Sequence, residues 1–114
     1  MTLEQFLTTL KSTPEKITFD DTISLIEELY DFTPTAFQNG DINNEAGQNN
    51  GSCKIFAFAI LQELPEELTL HCFGDYYRKD VLENPEGTDH QNIRNFMKSG
   101  WEEIDFEGEP LQLK

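Results

Sequence analysis

A chain of 114 residues suits one domain with a real core: at this length roughly 65% of the unfolded surface is buried on folding, and nine Phe, three Tyr and one Trp supply large side chains. Twenty-two acidic residues against 8 basic give a net charge of −14 and a pI near 4.2. Such a field repels nucleic-acid phosphates and anionic bilayers, which argues against those partners and leaves solubility or attraction of a basic partner as its use.

Taken in order, Thr2-Leu3-Glu4-Gln5 fits a capping box, and Leu3, Phe6, Leu7 and Leu10 recur at helical spacing, so the pattern predicts an amphipathic helix over 3–11 that Thr13-Pro14 ends. The next helix opens at Thr18, with Asp20 and Asp21 at its positive end. Phe19, Ile23, Ile26 and Tyr30 form its inward stripe, Leu25, Leu29 and Phe32 widen it, and Pro34 stops it. Residues 35–38 read as a short strand and Asn39-Gly40 as a turn. The polar run 41–50 reads as a loop. Asp41, Asn43 and Glu45 carry the first spacings of an EF-hand, but Ala46 stands where Gly is needed and Ser52 where Glu is needed, so no calcium loop follows.

Residues 49–64, NNGSCKIFAFAILQEL, contain the longest apolar run, Ile55 to Leu61. Its helix formers, the candidate caps Asn50, Gly51 and Ser52, and Pro65 beyond it predict a helix over 52–63. A helix apolar on nearly every face has to be enclosed, which makes it the centre of the domain. Pro65 opens another helix ending near His71 or Cys72, with Gly74 as its stop. Tyr76, Tyr77, Val81 and Leu82 mark a short helix, and Asn84-Pro85-Glu86-Gly87 a type I turn. Thr88-Asp89-His90-Gln91 reads as a further capping box, for a helix with Ile93, Phe96 and Met97 inward. Gly100 closes it and Trp101 packs back on Phe96. Ile104 and Phe106 alternate with carboxylates as a strand over 103–106, suited to pair with 35–38, and the tail from Gly108 is expected to fray. The expected fold is mainly α (α+β): a single domain over 1–114, with five to six helices around a buried central helix and a minor two-stranded β element.

The chemistry gathers at two helix starts. Cys53 follows the cap region of the 52–63 helix, where the macrodipole favours a thiolate, and His90 lies at another helix start, so a Cys53–His90 nucleophile and base pair is the candidate catalytic set. Ser52, Lys54, Arg78, Asn92 and Arg94 are candidate ligand-binding residues, because helix N-termini with Lys and Arg make anion sites. The competing reading has the cations neutralising neighbouring carboxylates, Cys53 packing inertly, and Asn92 and Arg94 anchoring the 39–50 loop. Lys54, set against the positive end of a helix dipole, is left unexplained by capping. There is no GxSxG, P-loop, GxGxxG or CxxC, and neither a metal nor a cofactor is expected. No Sec-type leader and no apolar run of about 20 residues is present, so a cytoplasmic protein with reduced thiols and no membrane insertion is expected.

The segments NNGSCKIFAFAIL (49–61), CFGDYYRKDVL (72–82), GTDHQNIRNFM (87–97), GW (100–101) and DFTPTAFQNG (31–40) together resemble the HopJ type III effector family, from about residue 17 to 108. The resemblance implies a small, mainly helical bacterial protein of the effector class, with export by the type III route and a protein partner, and it transfers no catalytic residues. Two functions are therefore carried forward. The first is a non-catalytic binding or interaction protein. The second is an enzyme or small-anion-binding protein using Cys53, His90 and Arg94, with a cytoplasmic housekeeping role.

Overall fold

The computed structural model describes all 114 residues. The chain is 54% helical, with six helices and small antiparallel sheets. Helix α1 (Leu3–Ser12) begins at the expected box: Gln5 N donates to Thr2 Oγ1 at 3.1 Å and Thr2 N to Gln5 Oε1 at 2.9 Å. A 3-10 turn at Pro14–Lys16 leads to α2 (Phe19–Leu29), whose Thr18–Asp21 box forms in the same way.

Helix α2 does not run on toward Pro34. Tyr30–Phe32 leaves it as strand β1, because the tail returns as β5 (Leu111–Leu113) and pairs antiparallel with it, Tyr30 opposite Leu113 and Phe32 opposite Leu111. Aromatic residues favour strands over helix interiors, and the cross-strand leucines supply partners that a helix would not. The expectation of a frayed tail is thus corrected, and Leu111 is buried. The inward face of α2 also differs: Thr22, Leu25 and Ile26 are buried, whereas Ile23 is only partly covered. Thr22 can be buried because its hydroxyl donates to the Cys72 carbonyl at 2.9 Å.

Strands β2 (Phe37–Asn39) and β3 (Ile42–Asn44) form a hairpin around Gly40, which sits at φ +62°. Strand β4 (Ile104–Phe106) pairs along the other edge of β2, with Phe37 opposite Phe106. The expected partnership of these two segments is present, but the element has three strands, in the order β3-β2-β4. Strand β3 lies in the run read as loop. Asn43 and Asn44 are poor strand formers, and hydrogen bonds from Asn44 to α5 hold it instead.

Helix α3 spans Asn50–Leu61 and buries Cys53 and Ile55 through Ala59. Its enclosure ends there: Ile60 and Leu61 are 46% and 51% exposed. Phe56 lies at the crossing of the core, with ring centroids 4.9 Å from Phe96, 5.4 Å from Phe73, 6.1 Å from Phe37 and 6.2 Å from Trp101. Helix α4 (Glu66–His71) precedes Gly74, where an added Cβ would stand 2.5 Å from the Phe19 backbone nitrogen. Tyr76–Val81 is a π-helical turn, not an ordinary short helix. Helix α5 (Gln91–Ser99) starts two residues later than its sequence box suggests, with His90 as cap. Asp89 is unavailable to continue the helix because Arg94 grips both its carbonyl and its carboxylate, each at 2.6 Å. Ile93 and Phe96 point inward as expected, but Met97 is exposed and Asn92 and Arg94 are buried. Gly100 ends α5 and Trp101 packs edge-on against Phe96 at 4.9 Å.

Candidate functional site

The starts of α3 and α5 face one cleft of about 460 Å³. Asn49, Gly51 and Ser52 line one side and His90 to Ile93 the other, with Phe19, Phe73 and Tyr76 supplying aromatic surface. The two helices begin alike. Asn49 and His90 occupy the left-handed region, at φ 52° and 51°, and neither side chain caps its own helix. Asn tolerates that region better than most residues, and both cap side chains are engaged elsewhere. Asn49 Nδ2 donates to Asn44 Oδ1 at 2.7 Å, and His90 Nε2 is 3.0 Å from Asp80 Oδ2.

The consequence is a set of free donors. The earliest main-chain bonds at these starts run from Cys53 N to the Asn49 carbonyl, at 3.0 Å, and from Ile93 and Arg94 N to the His90 carbonyl. The amides of Asn50, Gly51, Ser52, Gln91 and Asn92 have no protein acceptor. In α1 and α2 the capping boxes close the third-position amides, Gln5 and Asp21, which correspond to the free Ser52 amide in α3; the first two amides are free at all four helix starts. Two uncapped helix starts at one cleft place backbone donors and two positive dipole ends around the same volume. Beside them, the His90 ring lies against Tyr76 at 5.0 Å.

Of the residues singled out from sequence, Ser52, His90 and Asn92 meet at this cleft, and the others do not line it. Cys53 lies in the core, 1% exposed, with Sγ 3.6 Å from the Thr35 carbonyl. Burial pushes its thiol up, against smaller opposing pulls from the backbone hydrogen bond at Thr35 and then from the Lys54 charge. Lys54 turns to the α2 face, where Nζ is 3.5 Å from Glu27 and 4.9 Å from the centre of the Phe32 ring. That pairing supplies the explanation that capping could not. Arg78 is a clamp: it donates to the carbonyls of Pro14, Ile17 and His71, tying the 3-10 turn to the end of α4.

Arg94 is 9% exposed and donates to the carbonyls of Asn84, Asp80 and Asp89 besides the Asp89 carboxylate. The bound guanidinium holds the Asp89 carboxyl below its usual range. Arg94 therefore fixes the 80–90 loop that presents His90, and does not anchor the 39–50 loop. Asn92 does anchor it. Its amide exchanges hydrogen bonds with Asn39 and Asn44 inside the hairpin. Sequence reasoning missed Asn39, Asn44 and Asn49 as a connected group, and Phe19 and Tyr76 as a wall of the site. The Asn-rich composition of 39–50 was the available signal, since buried amides need mutual partners.

The thiols give a direct check. Both cysteines are buried and unpaired. In the native state at neutral pH neither is expected to react with iodoacetamide, and both should react in denaturant, as measured by mass spectrometry. The Cys72 thiol is pushed up to about 12 by burial from its ordinary 9.0. A group raised in the fold stabilises it fully below its unfolded value, so that contribution is lost as pH rises from 9.0 toward about 12. Alkaline denaturation of Cys72→Ala should lack that portion of the fall.

No helix is long and apolar enough to cross a membrane. The family model described as HopJ type III effector protein matches residues 3–111. A crystal structure of a protein of unknown function, VPA0580, is similar over 100% of this chain and 95% of that one, at 60% identity and a TM-score of 0.98. No curated protein matches the chain.

Proposed function

We propose a function from one premise: this chain belongs to the HopJ type III effector protein family. On that premise it acts as a non-catalytic binding protein, exported by the type III route, whose recognition site is the cleft between the starts of α3 and α5. The occupant is a carboxylate or phosphate group carried on an aromatic or apolar body. The observation that carries this reading is the pair of uncapped helix starts at one aromatic-lined cleft. Main-chain donors act over a few ångströms, so they can hold a single anionic group although the whole molecule carries −14. The enzyme reading is the weaker one, because the Cys53 thiol is buried and His90 is engaged with Asp80.

Titration with phenyl phosphate, followed by amide NMR, tests the site. The Gly51, Ser52, Gln91 and Asn92 amides should shift saturably. Ser52→Glu should abolish those shifts, because the new carboxylate sits where the ligand would. The same change should raise stability by about 0.3–1 kcal/mol through the helix dipole, which separates loss of binding from loss of fold. Shifts that never saturate, or that persist in Ser52→Glu, would refute the cleft as a recognition site. Export is checked by fusing residues 1–30 to a reporter in a secretion-competent strain, where retention inside the cell counts against it.

A further inference from the structure

The opposite end of α3 carries a second surface, independent of the cleft. Ile60, Leu61, Ile104, Phe106 and Leu111 line a groove of about 460 Å³, floored by Ala57. Beside it, a depression of about 330 Å³ shares Ile60 and Ile104 and adds Leu64 and Trp101. Ile60 and Leu61 are exposed here and Ile104, Phe106 and Trp101 are half-buried, a contiguous apolar patch of the kind that marks a binding surface.

The charges around this groove are of one sign. Glu63 and Glu109 lie on its margins, and the 3-10 turn Trp101–Glu103 before β4 carries Glu102 and Glu103, whereas Asp105 and Glu107 line the other side of the sheet with Ala36 to Gln38. None of these carboxylates takes part in an ion pair, whereas Glu27, Asp75, Asp80 and Asp89 elsewhere do. Between Lys98 and Lys114 there is no cation in the sequence. The last turn of α3 also contains no basic residue, so the negative end of its dipole is uncompensated at the groove.

We propose that this groove docks a basic amphipathic helix from a partner protein, with apolar anchors at i, i+3 or i+4 entering between α3 and β4 and flanking Lys and Arg facing the carboxylates. A second copy of this chain is disfavoured, since it would set −14 against −14. Strand addition is disfavoured as well, because β4 is three residues long and offers few main-chain bonds.

The test uses the full chain and a synthetic Lys- and Leu-rich amphipathic helical peptide, read by calorimetry and by Trp101 emission. Binding should be saturable and should weaken about tenfold as salt rises from low to physiological strength. Ile60→Lys with Leu61→Lys should weaken it about tenfold or more. Glu63→Lys with Glu109→Lys should weaken it and flatten the salt dependence. Met97→Lys, on an exposed side chain outside the groove, should leave it unchanged. All replaced residues are exposed, and unchanged thermal unfolding verifies their folds. The charge-reversal pair leaves the apolar contacts intact and reports separately from the apolar pair. The proposal is overturned if a scrambled peptide of equal charge binds as well, if an acidic analogue with the same anchors binds as well, or if neither pair of substitutions weakens binding. It is equally overturned if sedimentation shows a dimer that the Ile60 and Leu61 substitutions dissolve.

Discussion

Phe56→Ala is expected to remove about 3–5 kcal/mol of stability, the range for truncating a fully buried Phe. Phe56 is 0% exposed and faces four aromatic rings contributed by β2, the segment after α4, α5 and the turn after α5. Neighbours drawn from so many elements cannot all move inward at once, so the cavity stays largely open. A small domain has about 5–15 kcal/mol in total, which leaves the variant marginal at room temperature. Urea unfolding should show a lower midpoint with an unchanged slope. Phe56→Leu keeps much of the volume and should lose distinctly less. Equal losses in the two variants would mean that Phe56 is not the crossing point of the core.

The helical skeleton was legible where one residue type has one job. Thr2 with Gln5 could hardly be read otherwise, and that box forms; Thr18 was legible as a helix start, and Asp21 there completes a box as well as facing the dipole. Gly100 followed by Trp101 is equally unambiguous. The failures fall where distant partners decide. Tyr30 and Phe32 have helix-compatible spacing, and only the returning tail makes them a strand. Thr88 to Gln91 has the letters of a box, but a buried Arg94 commits Asp89 to a different bond.

The candidate site shows the same division. Residues 49–54 could be suspected because packing does not ask for that sequence at the head of a buried helix. That the start is uncapped depends on Asn44 drawing the Asn49 side chain away, a contact no local pattern encodes. The two ends of α3 then acquire opposite character from one dipole. Free amides and aromatic walls collect at its start, and apolar surface with unpaired carboxylates collects at its end. On the two proposals above, one 12-residue helix would present an anionic group's site at its start and a cationic segment's site at its end.

Asn92→Ala is expected to cost about 1–3 kcal/mol, more than its size suggests, because one buried N–H of Asn39 and one of Asn44 lose their acceptor while each amide keeps its main-chain partner, the Asn92 and Phe37 carbonyls. Its side chain accepts from Asn39 Nδ2 at 3.0 Å and from Asn44 Nδ2 at 3.2 Å, and donates to Asn44 Oδ1 at 3.0 Å. Asn39 and Asn44 are 0% and 3% exposed, so water cannot readily replace what is lost. Asn39 already carries a buried Oδ1 without a partner, and turning its amide would set that oxygen against the Asn92 carbonyl, which now accepts from Nδ2 at 2.9 Å. The network thus has one workable arrangement, and it ties the β2–β3 hairpin to the start of α5. Removing Asn44 as well should cost less than the sum of the single changes by about 1 kcal/mol, since the second deletion also takes away the N–H that the first left without an acceptor. Amide exchange in Phe37 to Asn44 should accelerate in Asn92→Ala relative to α1, as the hairpin opens without global unfolding. The Gln91 and Asn92 amides belong to the same junction, so phenyl phosphate affinity at the cleft should fall with the hairpin's protection. Strict additivity, or unchanged hairpin exchange, would show that the amides are neighbours and not a coupled unit.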